Sequence, residues 1–436
     1  MRHLRWAGRL VVWGAFFVVS PLYAQEDEAA LRHAAAQVQK NVEQIYGAPF
    51  PRPVRVEIIG RGEVGAILSE EIDREISPAE MRFRQEAMRR FGLLPPDCDL
   101  RRTLLELFAE QVEGFYIPRQ RALYLIKGLP FQDMLIAHEL VHALQDQLVD
   151  LYALQQARRH DDDAAAALQA VAEGQAVLAM NAYGRRFVSR WSMMFDGLVA
   201  SLSLASRTER LRAAPLALRE GLFFPYFKGM PFVMRAWRDN GLASSFRLFE
   251  RLPESTEQIL WPAKYYKQPD RPTGLDLGEA AAALGEGWRC LGAQTLGEFG
   301  VRLLARSLGA DENAAATMAS GWDGDRFVLC EREAEHGIRH GLIWLSTWDT
   351  AAAAERFCRL YAALLKRRLP EAKQRREKGR WLWENGAAGT ARYLCCWERE
   401  VVYIDGLDEG ERNRIRAFLT ERKQRRTLFA PDRRDE

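Results

Sequence analysis

Within His138-Glu139-Leu140-Val141-His142 two histidines stand four residues apart, with a glutamate directly after the first. On a helix that spacing puts both imidazoles on one face, where they can reach a single Zn²⁺. It leaves the glutamate beside a water that it can deprotonate. The chain holds only 7 histidines, so composition alone gives this arrangement about 1% of the time. The chemistry it points to is metal-assisted hydrolysis with Glu139 as general base. A catalytic zinc takes three protein ligands and keeps a fourth position open. The candidate third ligand is Glu173, in the run Val171-Ala172-Glu173-Gly174. Asp146, one turn beyond His142, is the candidate to orient a ligand imidazole.

These side chains need helices to present them. From Phe131 to Val149 the residues Met134, Leu135, Ile136, Leu140, Val141, Ala143, Leu144 and Leu148 recur at helical intervals, without Gly or Pro. Asp133 near the start suits the helix dipole. Upstream, Gly114–Ile117 and Ala122–Ile126 read as two short strands about the turn Pro118–Arg121. An open strand edge beside the metal helix would hold an extended peptide with its scissile carbonyl near the metal. Glu173 falls on a second helix, capped at Asp161–Asp163 and running to about Tyr183. Gly174 costs such a helix about 1 kcal/mol relative to alanine. With Ala172 and Ala176 beside it, it permits the close backbone approach that brings Glu173 to the metal.

The string His138 to Gln147 (HELVHALQDQ), followed by Val171-Ala172-Glu173-Gly174, resembles a group of exported bacterial gluzincin-type metallopeptidases. The likeness continues through Phe224-Pro225-Tyr226 with Gly229, Ser255-Thr256-Glu257-Gln258-Ile259-Leu260, and Gly321-Trp322-Asp323-Gly324-Asp325. It therefore spans most of the chain beyond its leader. The resemblance implies zinc held by His138, His142 and Glu173, with Glu139 as the base. One departure stands out: the Ser-Thr-Glu-Gln-Ile-Leu string of that group continues with His-Pro, where this chain has Trp261-Pro262. The oxyanion of the transition state needs a donor besides zinc. Tyr226, Tyr265 and Tyr266 are the candidates, and Tyr226 ranks first on its motif.

The expected architecture is α+β and helix-rich. Residues 1–24 read as a signal peptide, 25–274 as a gluzincin-like metallopeptidase domain, and 275–436 as a smaller α+β accessory domain. The first part opens with a helix at Ala29–Tyr46, a strand at Val54–Ile58, a helix with a capping box at Ser77–Glu80 that stops at Gly92, and a helix at Leu100–Val112. The Pro- and Gly-rich stretch Gln268–Gly274 marks the boundary. Beyond it, strand-like runs at 326–330, 341–346, 380–383, 392–397 and 401–404 accompany helices near 350–366 and 409–425. That pattern predicts helices on one face of a sheet. His336 and His340, with Gly337 between them, read as loop residues rather than a second metal site.

Arg2, Arg5 and Arg9 precede an apolar run, Leu10–Val19, too short to span a bilayer, and Ala24 offers a cleavage point. The expectation is export to the periplasm or beyond, with membrane contact only through an uncleaved N-terminal segment. Phe187–Leu204 is the next most apolar stretch, but Arg190 and Asp196 interrupt it. A net charge of +3 directs the chain to no polyanion, and no nucleic-acid motif occurs. The basic runs at 366–368, 373–380 and 422–426 read as solvated helix faces. Export permits disulfides among the 6 cysteines, and neighbours such as Cys395 and Cys396 would need different partners; the sequence does not give the pairing and is equally compatible with buried free thiols. The expected partner is a peptide or protein substrate. The rival reading is a gluzincin-like scaffold of weak or no activity that binds peptide or cell-wall polymer.

Overall fold

The computed structural model describes residues 13–16, 28–128, 132–188, 209–335, 337–377, 380–384 and 391–429. The expected leader therefore lies outside the described residues apart from Trp13–Phe16, and so do 189–204 of the apolar stretch and His336. Among the described residues no helix is long and apolar enough to cross a membrane. The chain is α+β and divides into two compact units. One comprises Met1–Met81 with Leu94–Asp270, and the other Arg82–Leu93 with Arg271–Glu436.

Through Asn240 the helices are α1 (Glu28–Tyr46), α2 (Arg61–Glu75), α3 (Pro78–Phe91), α4 (Leu100–Gln111), α5 (Gln132–Val149), α6 (Leu151–Arg158), α7 (Asp162–Phe187), α8 (Glu209–Ala213) and α9 (Leu216–Asn240). A 3-10 helix at Leu242–Phe249 precedes α10 (Thr256–Leu260) and α11 (Ala263–Tyr266). Four strands form one sheet in the order β1 (Trp13–Phe16), β3 (Val112–Ile117), β4 (Ala122–Ile126), β2 (Arg55–Ile59). β2 runs parallel to β4 and the other neighbours are antiparallel. The expected hairpin β3–β4 is thus internal. The edge of β3, which the sequence left open, is paired with β1.

Helix α5 lies against this sheet and against α1 and α7. Every residue from Met134 to Asp146 is buried, so α5 is a core helix rather than an amphipathic one. Gly114 on β3 keeps the approach close: a Cβ there would lie 3.2 Å from the Leu135 side chain. Helix α7 starts where its cap predicts. Asp161 accepts from the amides of Asp163 and Ala164 at 3.1 and 3.0 Å.

In the second unit follow α12 (Ala280–Leu284), α13 (Gly297–Ser307), α14 (Glu312–Ala319), α15 (Ala351–Arg368) and α16 (Glu409–Phe429). Among the described residues its strands are β5 (Arg289–Gln294), β6 (Trp322–Ala334), β7 (Gly337–Trp348), β8 (Lys373–Glu377), β9 (Arg380–Glu384), β10 (Ala391–Trp397) and β11 (Glu400–Leu407). They form an antiparallel sheet in the order β5-β6-β7-β11-β10-β9-β8.

Both faces are covered, not one as expected. Val328, Cys330, Ile343, Leu345, Val402 and Ile404 pack with α12 and α16. Trp344 and Tyr403 meet Phe357 and Tyr361 of α15 on the other face, together with Phe91. The reason is visible in β7, where every residue from Gly341 to Trp348 is buried and no polar face remains. Two further readings change. His340 lies within β7, and the basic run at 373–377 is the exposed edge strand β8 rather than a helix face. Charge on an edge strand discourages pairing with another chain.

Candidate metal centre

Helices α5 and α7 bring His138, His142 and Glu173 together, and all three are fully buried. The two histidine Nε2 atoms are 3.1 Å apart. Glu173 Oε2 lies 3.1 Å from His138 Nε2 and 3.4 Å from His142 Nε2. Ligand atoms about 2.0–2.1 Å from a tetrahedral zinc are separated by about 3.3 Å. Those separations therefore suit a zinc ion.

The surrounding hydrogen bonds fix the tautomer that a metal requires. The Gln145 side-chain nitrogen donates to Ala172 O at 3.0 Å and to Gln175 Oε1 at 2.7 Å. Its oxygen, 2.9 Å from His142 Nδ1, must then accept a proton from that ring nitrogen. In the neutral ring His142 Nε2 then carries the lone pair that a metal would take. The chain of amides continues through Gln175 Nε2, which donates to Ser245 Oγ at 2.6 Å. His138 Nδ1 is buried with no hydrogen-bond partner among the described residues.

Burial opposes charge on each of the three groups. It lowers His138, whereas on His142 it is outweighed by the carboxylates of Glu173 and Glu139, which raise the imidazole. On Glu173 burial is outweighed by the two histidines, so its carboxylate is held below the usual range. A buried carboxylate kept ionised beside two imidazoles is a donor set complementary to a divalent cation.

Glu139 is also fully buried, and its charge reaches both His142 and Tyr226. Tyr226 of α9 places its ring 6.2 Å from that of His138, with 21° between the planes. Burial first, then Glu173 and Glu139, push its phenol well above the ordinary value, so it stays a proton donor. The other two tyrosines are committed elsewhere. Tyr265 donates to Arg251 O, and Tyr266 donates to Phe232 O at 3.0 Å.

Tyr226 is positioned by a glycine contact. A Cβ on Gly174 would lie 2.5 Å from the carbonyl oxygen of Gly229 and 2.8 Å from the amide of Met230. A Cβ on Gly229 would overlap the carbonyl oxygen of Ala170. The close approach expected of Gly174 is therefore made to α9, and one turn back along α9 stands Tyr226. Asp146 does not orient an imidazole. Its carboxylate accepts from the Tyr116 hydroxyl at 2.8 Å, and Gln145 takes the role instead.

Residues 289–416 match the model of a family described as a domain of unknown function, DUF8575. No curated protein and no solved structure matches the chain. The matched segment lies within the second unit, whereas His138, His142, Glu173 and Tyr226 belong to the first.

The other strings singled out in the sequence serve architecture. Buried Asp163, near the start of α7, accepts from the amide and hydroxyl of Thr256, which ties the Ser255–Leu260 string to the Glu173 helix. Trp261 follows α10 and is 44% exposed. In the second unit Asp325 receives four N–H groups, each at 2.9 Å, from Leu296, Gly297, Trp322 and Trp344.

Proposed function

We propose that the first unit is a gluzincin-type zinc peptidase, acting on peptides or proteins outside the cytoplasm. The observation that carries the reading is the convergence of His138 Nε2, His142 Nε2 and Glu173 Oε2 beside Glu139. Zinc bound there would polarise a substrate carbonyl and acidify a water molecule. Glu139 follows His138 on the same helix and accepts the water proton, then delivers it to the leaving amine. Tyr226 donates its hydroxyl to the oxyanion that develops on the substrate. Gln145 keeps the lone pair of His142 Nε2 directed inward, and Gln175 with Ser245 holds Gln145 in turn. A purely structural zinc site has no use for a buried glutamate in the position of Glu139.

The test is hydrolysis of a mixed peptide library by the full chain, repeated after chelation and after restoring zinc. Cleavage that disappears and returns with zinc is expected. Cleavage indifferent to chelation would contradict the reading.

A second reading is favoured by two observations: the complete burial of the ligand set, and an exposed Trp261 where the resembling group has histidine. It holds that the unit is a zinc-containing scaffold that binds peptide or cell-wall polymer without cutting it. Stoichiometric zinc without cleavage of any peptide would establish that alternative.

A further inference from the structure

Four of the six cysteines stand in two facing pairs in the second unit. Cys290 on β5 and Cys330 on β6 are direct partners in the antiparallel register. Their side chains therefore leave the sheet on the same face, with Cβ atoms about 4.5–5.5 Å apart. A disulfide needs about 3.5–4.5 Å, and the register shift just after Cys290 gives that strand freedom to lean.

On β10 the pleat sends Cys395 and Cys396 to opposite faces. Cys395 packs with the core beneath α16. Cys396 consequently faces α15, which packs on β10 and carries the buried Cys358. The two thiols of each pair are near enough to perturb one another's acidity, Cys290 with Cys330 and Cys358 with Cys396. Cys330 shares the face of Cys395, but the two strands lie three positions apart in the sheet. That is about 14 Å, beyond the reach of a bridge.

We infer that Cys290–Cys330 and Cys358–Cys396 are disulfide sites, filled when the chain meets a donor disulfide, and that Cys98 and Cys395 stay thiols. Cys290 is the entry point for the first bond. It is exposed, and the neighbouring Cys330 thiol brings its own down to about 7. The Cys290 thiolate attacks one sulfur of the donor, forms a mixed disulfide and releases the first donor thiol, which takes up a proton. Cys330 then loses its proton, attacks the Cys290 sulfur and releases the second donor thiol. Two protein thiols are oxidised, and one donor disulfide is reduced to two thiols. The second bond forms by the same exchange at Cys396 and Cys358.

The experiment equilibrates the full chain with oxidised glutathione, denatures it in a thiol-alkylating reagent without reductant, and maps the linked peptides by mass spectrometry. Cross-links between Cys290 and Cys330 and between Cys358 and Cys396 are expected, with Cys98 and Cys395 alkylated. In Cys290→Ser, a surface change that spares the core, Cys330 should become alkylated while the Cys358–Cys396 link persists. Six alkylated cysteines, or a link to Cys395, would overturn the inference.

Discussion

Each side chain at the proposed zinc site has a separable part, so single substitutions should fail in different ways. Glu139→Gln keeps the ligands and removes the base; zinc should stay bound while peptide hydrolysis falls by about 10²–10⁴-fold, which a parallel metal and activity assay would read. Gln145→Leu leaves all ligands in place but removes the acceptor for His142 Nδ1. Zinc affinity is expected to drop about 10–100-fold, measured by competition with a chromogenic chelator; unchanged affinity would remove Gln145 from the account. The pair of histidines and Glu139 were legible because their spacing encodes geometry on any helix. Gln145 was not, because a glutamine acquires such a part only when its nitrogen is occupied elsewhere. Here that depends on Ala172 and Gln175, about 30 residues away in sequence. Asp146 drew attention by its charge, yet Tyr116 holds it.

At the scale of elements, the centre depends on how α7 passes α9. Gly174→Ala should improve the intrinsic helix propensity by about 1 kcal/mol, yet force its methyl into the backbone of Gly229 and Met230. Overpacking costs about 1–3 kcal/mol, so a lower denaturant midpoint is expected, and a stabilised variant would show that the contact is not tight. In the second unit, Asp325→Ala strips the shared acceptor from two backbone amides and two tryptophan indoles. Each buried donor left unpaired costs about 1–3 kcal/mol, so severe destabilisation should appear in thermal melts. Helices α5 and α7 could be read from apolar periodicity and caps, because those signals are local. The pairing of β1 on β3 could not, since nothing in Trp13–Phe16 specifies its neighbour. The second covered face of the large sheet also escaped notice. It shows in the unbroken burial of Gly341–Trp348 in β7, which a short apolar run in sequence does not distinguish from a half-buried strand.

For the whole molecule, zinc binding and folding of the first unit should be linked, because the ligand set sits in its core. A ligand that binds only the native state at 1,000 times its Kd stabilises by about 4 kcal/mol, so chelation should lower the melting temperature and added zinc restore it. Acidification should release the metal, with affinity starting to fall above the ordinary imidazole range because the carboxylates raise His142, and falling further at lower pH as His138, lowered by burial, takes up its proton. The most direct test of the central claim is zinc per chain by elemental analysis, on wild type, Glu139→Gln and His142→Ala. About one zinc per chain is predicted for the first two and loss from His142→Ala. A correctly folded wild-type chain that takes up no zinc would contradict the account.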